Sequence, residues 1–405
     1  MEEPISDKLK RMADNLEKMT VEVIYDRRKD IPSRIYGAFL KVLSLVFSAV
    51  VQTRYKLYKN RIFRDSPLGC LVIVVGNLTV GGTGKTPVVE KFARELNARG
   101  RKVAILSRGY KSKSDGAIRK FWRWLSHGEI PAPKVVSDGR QVLLDSEHAG
   151  DEPYMLARNL PGVIVIVDKN RVKAGNFAIK EFGVDTLILD DGFQYLPLKG
   201  QMQVLLVDKT NPFGNKSLLP RGILREPVRH LKRASYIFLT KSDGKRDHAL
   251  ESFIRRYNTC AEFIECSHRS KHLVEFTSMM HADLDILNGK RVAYFCAIAA
   301  PESFASFLRQ SGATIVHHEH FLDHHRFSRL ELYEFFEEAH ASGAEIVVTT
   351  EKDAVRIDKD FKGLLPFYYT RLEIDILSGD GDFSAAVERI CFDETGIKAC
   401  RAPDK

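Results

Sequence analysis

The sequence predicts an α/β protein with a largely parallel central sheet. Five short apolar runs predict buried strands, at residues 71–75, 102–106, 185–189, 204–207 and 236–239. Runs rich in Val, Ile and Leu without alternation are typical of strands covered on both faces, as in parallel sheets. The first run leads through a glycine-rich turn into an apolar pattern of helical spacing over residues 88–96. Strand, turn and helix in this order are typical of the units that build a parallel sheet.

Composition and charge narrow the class of protein. The chain has 405 residues, of which 44% are hydrophobic and 28% are charged. These are ordinary globular values, and at roughly 150 residues per domain the length predicts two or three domains. Lys and Arg outnumber Asp and Glu by 62 to 53, and residues 34–64 hold seven basic residues and no acid. Because the rest of the chain is close to neutral, we do not expect nucleic-acid binding.

Cysteine usage and the N-terminus indicate a reduced compartment. The six cysteines form no CxxC pair, so a reduced cytosolic setting is expected and a disulfide framework is not. Residues 1–33 are charged and contain acids, which a cleavable signal peptide does not. We therefore treat residues 1–33 as an extension of unknown role.

The basic segment contains a 17-residue apolar stretch, residues 35–51. Its less apolar positions, together with Gln52 just beyond it, fall on one helical stripe formed by Gly37, Lys41, Ser44, Ser48 and Gln52. This pattern predicts an amphipathic helix that lies in a membrane surface. The basic residues that follow it would meet anionic lipid headgroups. A core helix packed on the protein itself and a true membrane span are the alternatives, the stretch being at the lower length limit for a span.

A glycine-rich phosphate loop follows the first predicted strand. It is formed by Thr79, Val80, Gly81, Gly82, Thr83, Gly84, Lys85 and Thr86. Glycines let backbone N–H groups converge on phosphate oxygens, Lys85 would reach the β- and γ-phosphates, and Thr86 would ligate Mg²⁺. Thr79 stands where the usual pattern has its first glycine. The segment also resembles the GGxGKT core of membrane-associated, dimerising ATPases, although Val80 replaces the lysine which precedes the paired glycines there.

Carboxylates and histidines supply further candidates. Asp190 and Asp191 follow the strand at residues 185–189, where a carboxylate can bind Mg²⁺ or merely cap a turn. Asp151 belongs to a GDEP turn and is read most simply as part of a helix N-terminus. The histidine-rich residues 317–325 allow a metal site, a plain surface turn or an oriented acid–base pair of Asp323 and His324.

Eight motifs occur in a fixed order along the chain. They are GNLTVGGTGKTP from Gly76, SRGY from Ser107, VSDG from Val136, AGDEP from Ala149, DDGFQ from Asp190, LPRGILREP from Leu219, DHH from Asp323 and TEKDA from Thr350. Taken together, this set resembles the tetraacyldisaccharide 4′-kinases of lipid A biosynthesis. The resemblance runs from about residue 35 to about residue 353, and it includes the threonine at position 79.

The resemblance implies roles for particular residues. Asp151 and His324 would form the catalytic dyad, while Lys85, Asp190 and Asp191 would serve Mg²⁺-ATP and phosphoryl transfer, with Asp190 and Thr86 at the metal. Positions that line the cleft in such kinases are Arg108, Tyr110, Arg171, Gln194, Arg225 and Glu226. One departure is Tyr195, which stands where the family usually has histidine; a tyrosine cannot carry a positive charge.

The resemblance also implies an architecture and an activity. We expect a membrane-associating helix over residues 34–64, a P-loop kinase domain over residues 65–199 and a second, smaller α/β domain over residues 200–405 that supplies His324 and closes the cleft. The activity implied is transfer of the γ-phosphoryl group of ATP to the 4′-hydroxyl of a tetraacyldisaccharide 1-phosphate. The enzyme would be a peripheral monomer on an anionic phospholipid surface, at the cytoplasmic face of a bacterial inner membrane. The alternative is a membrane-associated P-loop ATPase switch without a lipid acceptor.

Overall fold

The structure is a computed structural model that describes residues 18–392, except residues 29, 110–130, 299 and 324. Two residues predicted for the site, Tyr110 and His324, lie outside the described residues. In the described part, thirteen strands form one sheet. The strands are β1 (Leu71–Asn77), β2 (Val103–Ser107), β3 (Lys134–Asp138), β4 (Ile164–Val167), β5 (Thr186–Leu189), β6 (Met202–Asp208), β7 (Tyr236–Thr240), β8 (Glu262–Glu275), β9 (His281–Asp283), β10 (Arg291–Cys296), β11 (Thr314–His320), β12 (Ile346–Thr350) and β13 (Phe367–Ser378).

Helices cover this sheet and flank it. They are α1 (Ile31–Lys59), α2 (Lys85–Ala98), α3 (Ser146–Ala149), α4 (Asp151–Asn159), α5 (Arg171–Phe182), α6 (His248–Arg255), α7 (Pro301–Gln310), α8 (Arg329–Ala341), α9 (Glu351–Ala354) and α10 (Asp380–Phe392). Two 3₁₀ helices, Val228–Arg233 and Leu284–Leu287, lie in the connections. Residues 18–24 form a further helical segment before α1.

The sheet is mostly parallel, which confirms the predicted fold class. Its order is β11-β10-β12-β13-β8-β7-β6-β1-β5-β2-β4-β3, with β9 paired to β8. The antiparallel pairs are β3 with β4, β8 with β13 and β8 with β9. All five predicted strands are present, as β1, β2, β5, β6 and β7. Because β1, β2 and β5 are parallel neighbours, their carboxyl ends meet at one edge, where ligands bind in open α/β sheets.

One apolar core joins the phosphate-loop helix to later parts of the chain. Phe92 of α2 is fully buried, and its ring lies 5.7 Å from that of Phe238 on β7 and 5.0 Å from that of Phe383 on α10. Strand β6 pairs directly with β1, so the sheet continues across residue 199. The division of the chain into domains at that residue stays a prediction.

Helix α1 turns small and polar residues toward the protein and apolar residues outward. Part of the predicted polar stripe faces the protein: Ser44 Oγ donates a hydrogen bond to the carbonyl of Leu218 at 2.8 Å, and Gly37 is buried. The apolar side chains face outward, and Ile35 and Val46 are 68% and 60% exposed. By length and composition α1 is also apolar enough to cross a membrane. The helix prediction is therefore confirmed, but its large apolar face is not covered by the described residues.

Candidate functional site

The phosphate loop is held between β1 and the LPRGILREP segment. The backbone N–H of Val80 donates to the carbonyl of Ile223 at 2.7 Å, and that of Arg225 donates to Leu78 at 2.6 Å. Gly81 and Gly84 have φ angles of 103° and 76°, which favour glycine. The loop ends at Gly84, and α2 begins with Lys85, so the free backbone N–H groups of the first helical turn lie beside the loop.

Gly84 also makes a close approach that excludes a side chain. A Cβ atom placed there would overlap the imidazole ring of His268 on β8. His268 lies with its Nε2 atom 3.5 Å from the carbonyl oxygen of Gly84, and burial lowers its pKa. The imidazole ring therefore packs against the loop, and this contact connects β8 to the phosphate site. No local sequence pattern marks His268 for this position.

Lys85 lies in a small set of charges, which we call the P-loop cluster: Asn77, Lys85, Asp191 and Arg225. The Nζ atom of Lys85 lies 3.5 Å from Oδ1 of Asn77 and 3.4 Å from Oδ1 of Asp191. Arg225 donates to both carboxylate oxygens of Asp191, at 2.8 and 3.0 Å. Burial would raise the pKa of Asp191, but Lys85 and Arg225 outweigh it and lower that pKa.

Asp190 has the opposite electrostatic situation, although it is adjacent in sequence. Burial raises its pKa to about 7, and the charges of Glu152 and Asp191 add to the effect. Its Oδ2 atom accepts a hydrogen bond from Ser107 at 3.3 Å, whereas its buried Oδ1 atom has no hydrogen-bond partner among the described residues. A buried carboxyl group with a free oxygen, beside two further acids, is suited to a cation.

Tyr195 secures the start of α5. The backbone N–H of Arg171 donates to the Tyr195 hydroxyl at 3.1 Å, and the Arg171 guanidinium lies 4.9 Å from the centre of the Tyr195 ring. Burial lowers the pKa of Arg171, and Arg108 lies close enough to lower it as well. Gln194 donates to the carbonyl of Asn77 at 2.8 Å, which brings the DDGFQ segment against β1.

Asp151 is held by arginines from the other end of the chain. Its Oδ2 atom accepts from Nε of Arg356 at 2.9 Å, and Arg326 lies 3.6 Å from Oδ1. Arg356 also pairs with Asp353 at 2.9 Å, and both of these side chains are fully buried. Asp353 in turn accepts from Thr350 Oγ1 at 2.6 Å. We call Asp151, Arg326, Asp353 and Arg356 the Asp151 cluster.

A family model described as tetraacyldisaccharide-1-P 4′-kinase matches residues 36–391. The chain belongs to this family. A tetraacyldisaccharide 4′-kinase of Anaeromyxobacter dehalogenans is 40% identical over 341 residues, which are 84% of this chain and 86% of the relative. The kinase of Halothermothrix orenii is 34% identical over 361 residues, 86% of this chain and 90% of the relative.

A solved structure agrees with the sequence relatives. The crystal structure of LpxK from Aquifex aeolicus in complex with ATP matches with a TM-score of 0.70 and 27% identity, covering 88% of this chain and 100% of that one. The prediction of a tetraacyldisaccharide 4′-kinase is thereby confirmed. An ATPase switch without a lipid acceptor is not favoured, because the family model and both relatives are kinases.

Most of the predicted site residues that the structure describes lie around the phosphate loop. Lys85, Asp191 and Arg225 are in direct contact, and Gln194 bonds to Asn77 beside them. Asp190, Arg108 and Arg171 are close enough to act on this group electrostatically. Glu226 does not join them: it is buried and binds Nδ1 of His230 at 2.6 Å and NH1 of Arg233 at 2.8 Å. Its predicted substrate contact stays a prediction, and the structure gives it a role in fixing the LPRGILREP segment.

The structure also identifies residues that sequence reasoning missed. Arg356 lies two residues beyond the TEKDA motif, so the motif marked its neighbourhood but not the arginine itself. Glu152 shares the GDEP motif with Asp151 and acts electrostatically on Asp190. Among the described residues, no group of three or more His, Cys, Asp or Glu side chains could hold a metal ion. A Mg²⁺ ion bound with a nucleotide requires few protein ligands, because phosphates and water supply the others.

Proposed function

We propose that this kinase transfers the γ-phosphoryl group of ATP to the 4′-hydroxyl of a tetraacyldisaccharide 1-phosphate, a step of lipid A biosynthesis. The observation that carries the proposal is the position of Lys85, at the start of α2 and 3.4 Å from Asp191. A cation at a helix N-terminus beside a glycine loop is built to hold polyphosphate. The Aquifex relative crystallised with ATP supports the same nucleotide here.

ATP would replace some of the contacts within the P-loop cluster. Backbone N–H groups of Gly82, Gly84 and Thr86 would bind phosphate oxygens. Lys85 would exchange its contact with Asp191 for the β- and γ-phosphates. The Asp191 side chain is 36% exposed and also contacts Arg225, while the more buried Lys85 would gain the phosphates, so neither charge is left unpaired when the pair opens. Arg108 and Arg171 would meet anionic groups of the nucleotide or acceptor.

Mg²⁺ is the expected partner of the bound nucleotide. The residues that would hold it are Thr86 and Asp190, with Glu152 close by. Asp190 fits because its Oδ1 atom is buried and has no partner among the described residues. When bound, the ion would neutralise charge on the phosphates during transfer. A cation would also keep the Asp190 carboxyl ionised, whose pKa is otherwise raised to about 7.

Asp151 would take the proton from the acceptor hydroxyl. As the acceptor oxygen forms its bond to the γ-phosphorus, the bond to the leaving oxygen of ADP breaks and the proton passes to the Asp151 carboxylate. The resemblance assigns His324 as its partner. Arg356 fixes the orientation of Asp151, since its Nε–H donates to Oδ2 from a fully buried side chain. A carboxylate that is already oriented does not have to lose conformational entropy to reach the reactive geometry.

Helix α1 would lie in the membrane surface. Its outward apolar face includes Phe39 and Val42, which are 57% and 60% exposed, and its last turn carries Lys56 and Lys59. An acceptor with four acyl chains resides in the bilayer, so an enzyme docked on that surface meets it there. We propose peripheral attachment at the cytoplasmic face of the inner membrane, as a monomer.

The test is transfer of ³²P from γ-labelled ATP to the disaccharide 1-phosphate in mixed micelles, with free phosphate measured in parallel. Labelled lipid is expected from the wild type, and none from Lys85→Ala. Lys91→Ala is the matched control: Lys91 lies on the same helix but pairs with Glu95 at 3.1 Å, and it should retain activity. Free phosphate without labelled lipid from folded wild-type protein would contradict the proposal.

A further inference from the structure

A cavity of about 630 Å³ lies beside the first turns of α1, away from the phosphate loop. One wall comes from the N-terminal extension, with Val23, Asp26 and Arg28, and another from Arg34 and Lys41 of α1. Ser217 and Arg221, at the start of the LPRGILREP segment, close the third side. The cavity is therefore formed jointly by the N-terminal extension, α1 and this segment.

Specific contacts hold the extension in place. Arg221 donates to the carbonyl of Val23 at 2.9 Å and forms an ion pair with Asp26. Asn215 donates to the carbonyl of Ile24 at 2.9 Å. A Cβ atom at Gly37 would lie 3.4 Å from a Val23 methyl group, so α1 and the extension are in close contact. The family model begins at residue 36, so this wall is an addition to the part of the chain that it matches.

The cavity carries uncompensated positive charge. Arg28 pairs with Asp30 and Glu22, and Arg221 pairs with Asp26. Within the described residues, neither Arg34 nor Lys41 has a carboxylate at ion-pair distance, and Lys41 donates only to Ser217 Oγ at 3.2 Å. Two cations and a hydroxyl on facing walls suit the oxygens of a phosphate group.

The surroundings identify which phosphate fits. On the same turns of α1, the side chains of Ile35, Phe39 and Val42 are 68%, 57% and 60% exposed. They do not line the cavity, but Ile35 and Val42 are three and four residues from Ala38, which does, so an apolar helix surface lies next to the cavity. A free anion would gain nothing from that surface, whereas a phosphate attached to acyl chains would bury those chains against it. We propose that this cavity binds the headgroup phosphate of an anionic phospholipid. The inference rests on the proposed membrane contact and gives it a defined site.

The cavity is also connected to the catalytic cleft. The loop that supplies Ser217 and Arg221 continues to Ile223 and Arg225, which bind Val80 and Asp191 respectively. A lipid held in the cavity would therefore fix the cleft at a set height above the membrane surface. The negative surface potential of the membrane alone would attract the basic residues of positions 34–64 without fixing the orientation of the protein.

The test uses dihexanoylphosphatidylglycerol below its micelle concentration, because dispersed molecules have no surface potential. Titration calorimetry on the full chain should show saturable binding by the wild type. The double variant Arg34→Ala/Lys41→Ala should bind at least about tenfold more weakly, since it removes both cations that would contact the phosphate. Arg54→Ala/Lys56→Ala removes the same charge from the same helix outside the cavity and should stay within about twofold.

Several outcomes would overturn the site. They are no saturable binding by the wild type, equal losses in both double variants, or equal competition by inorganic phosphate. All four mutated side chains are exposed, so folding should be preserved, and thermal unfolding checks this. A raised KM for the disaccharide acceptor in micelles without phospholipid, found only in Arg34→Ala/Lys41→Ala, would assign the cavity to the acceptor and reject the phospholipid. Saturable lipid binding by a wild type without transfer activity would support the cavity while refuting the proposed function.

Discussion

The P-loop cluster and the Asp151 cluster both hold a carboxylate against arginine, but they differ in exposure. The Arg225–Asp191 pair has side chains that are 28% and 36% exposed, whereas Arg356 and Asp353 are 0% exposed. An incoming phosphate can therefore break the Arg225–Asp191 pair at little cost in free energy, because water can solvate the partly exposed charges. The second pair cannot be opened without leaving a buried charge. One cluster is built to exchange partners and the other to keep them.

Removing one functional group from each cluster should separate binding from chemistry. Lys85→Ala should lose nucleotide binding as well as transfer, because its contact is with the phosphates. Asp151→Asn should keep nucleotide binding and lower kcat by about 10²- to 10⁴-fold, the usual contribution of a general base. Fluorescent-nucleotide titration and single-turnover transfer assays measure the two quantities.

The control for Asp151→Asn is Asp145→Asn, an exposed helix-capping aspartate six residues earlier that binds the backbone N–H of His148 at 2.8 Å. It should retain nearly wild-type kcat. Normal transfer by Asp151→Asn would remove the Asp151 cluster from the mechanism and leave it as a structural contact between distant segments.

The difference in exposure predicts a difference in stability. Arg356→Met leaves Asp151 and Asp353 without their buried counter-charge and should lower the free energy of unfolding by about 3–5 kcal/mol. Arg225→Met removes a half-exposed pair and should cost less than about 1 kcal/mol. Urea unfolding of both variants, with the slope checked for constancy, measures the two values. Equal losses would show that burial does not distinguish the clusters.

The same comparison explains what could be predicted from the sequence. The phosphate loop is one contiguous segment between a strand and a helix, so its residues and their roles follow from local spacing. Asp151 and Arg356 are 205 positions apart, and only the path of the sheet brings them together. His268 was missed for the same reason, since β8 reaches Gly84 through pairing with β7.

Helix α1 shows a different limit of prediction. Its stripe of small and polar residues was recognised from spacing, but spacing does not tell which face meets the protein. Ser44 and Gly37 are small enough to allow close packing on Leu218 and Arg221, so this part of the stripe is covered and the apolar face is outward. For a protein surrounded only by water this arrangement is unfavourable, and the proposed membrane contact would remove that cost.

Asp190 and Asp191 allow the electrostatic side of the comparison to be tested by pH. Burial raises the pKa of Asp190 to about 7, so its protonated form stabilises the fold at acid pH and this stabilisation is lost as the pH rises through 7. Asp190→Asn should therefore be more stable than the wild type at about pH 8 and should differ less at about pH 5. Urea midpoints without nucleotide measure the effect.

Asp191→Asn is the matched control, with the opposite sign. The pKa of Asp191 is lowered, so its ionised form stabilises the fold above its unfolded pKa, and that contribution is lost as the pH falls through the folded value. This variant should be less stable than the wild type at about pH 8. If both variants shift the midpoint in the same direction, the two aspartates do not have the distinct environments described above.

The smallest expected effect concerns Tyr195, whose ring lies against Arg171 and which is not part of either cluster. Its hydroxyl accepts from the backbone N–H of Arg171 and lies 3.4 Å from Oδ1 of Asn170, so it satisfies an otherwise free donor at the start of α5. Tyr195→Phe should lower the free energy of unfolding by about 1 kcal/mol, the usual worth of one hydrogen bond. Tyr257→Phe, whose hydroxyl has no hydrogen bond among the described residues, should change it by less than about 0.5 kcal/mol.

A fall in kcat of more than about tenfold in Tyr195→Phe, with stability unchanged, would instead assign the hydroxyl a direct part in transfer.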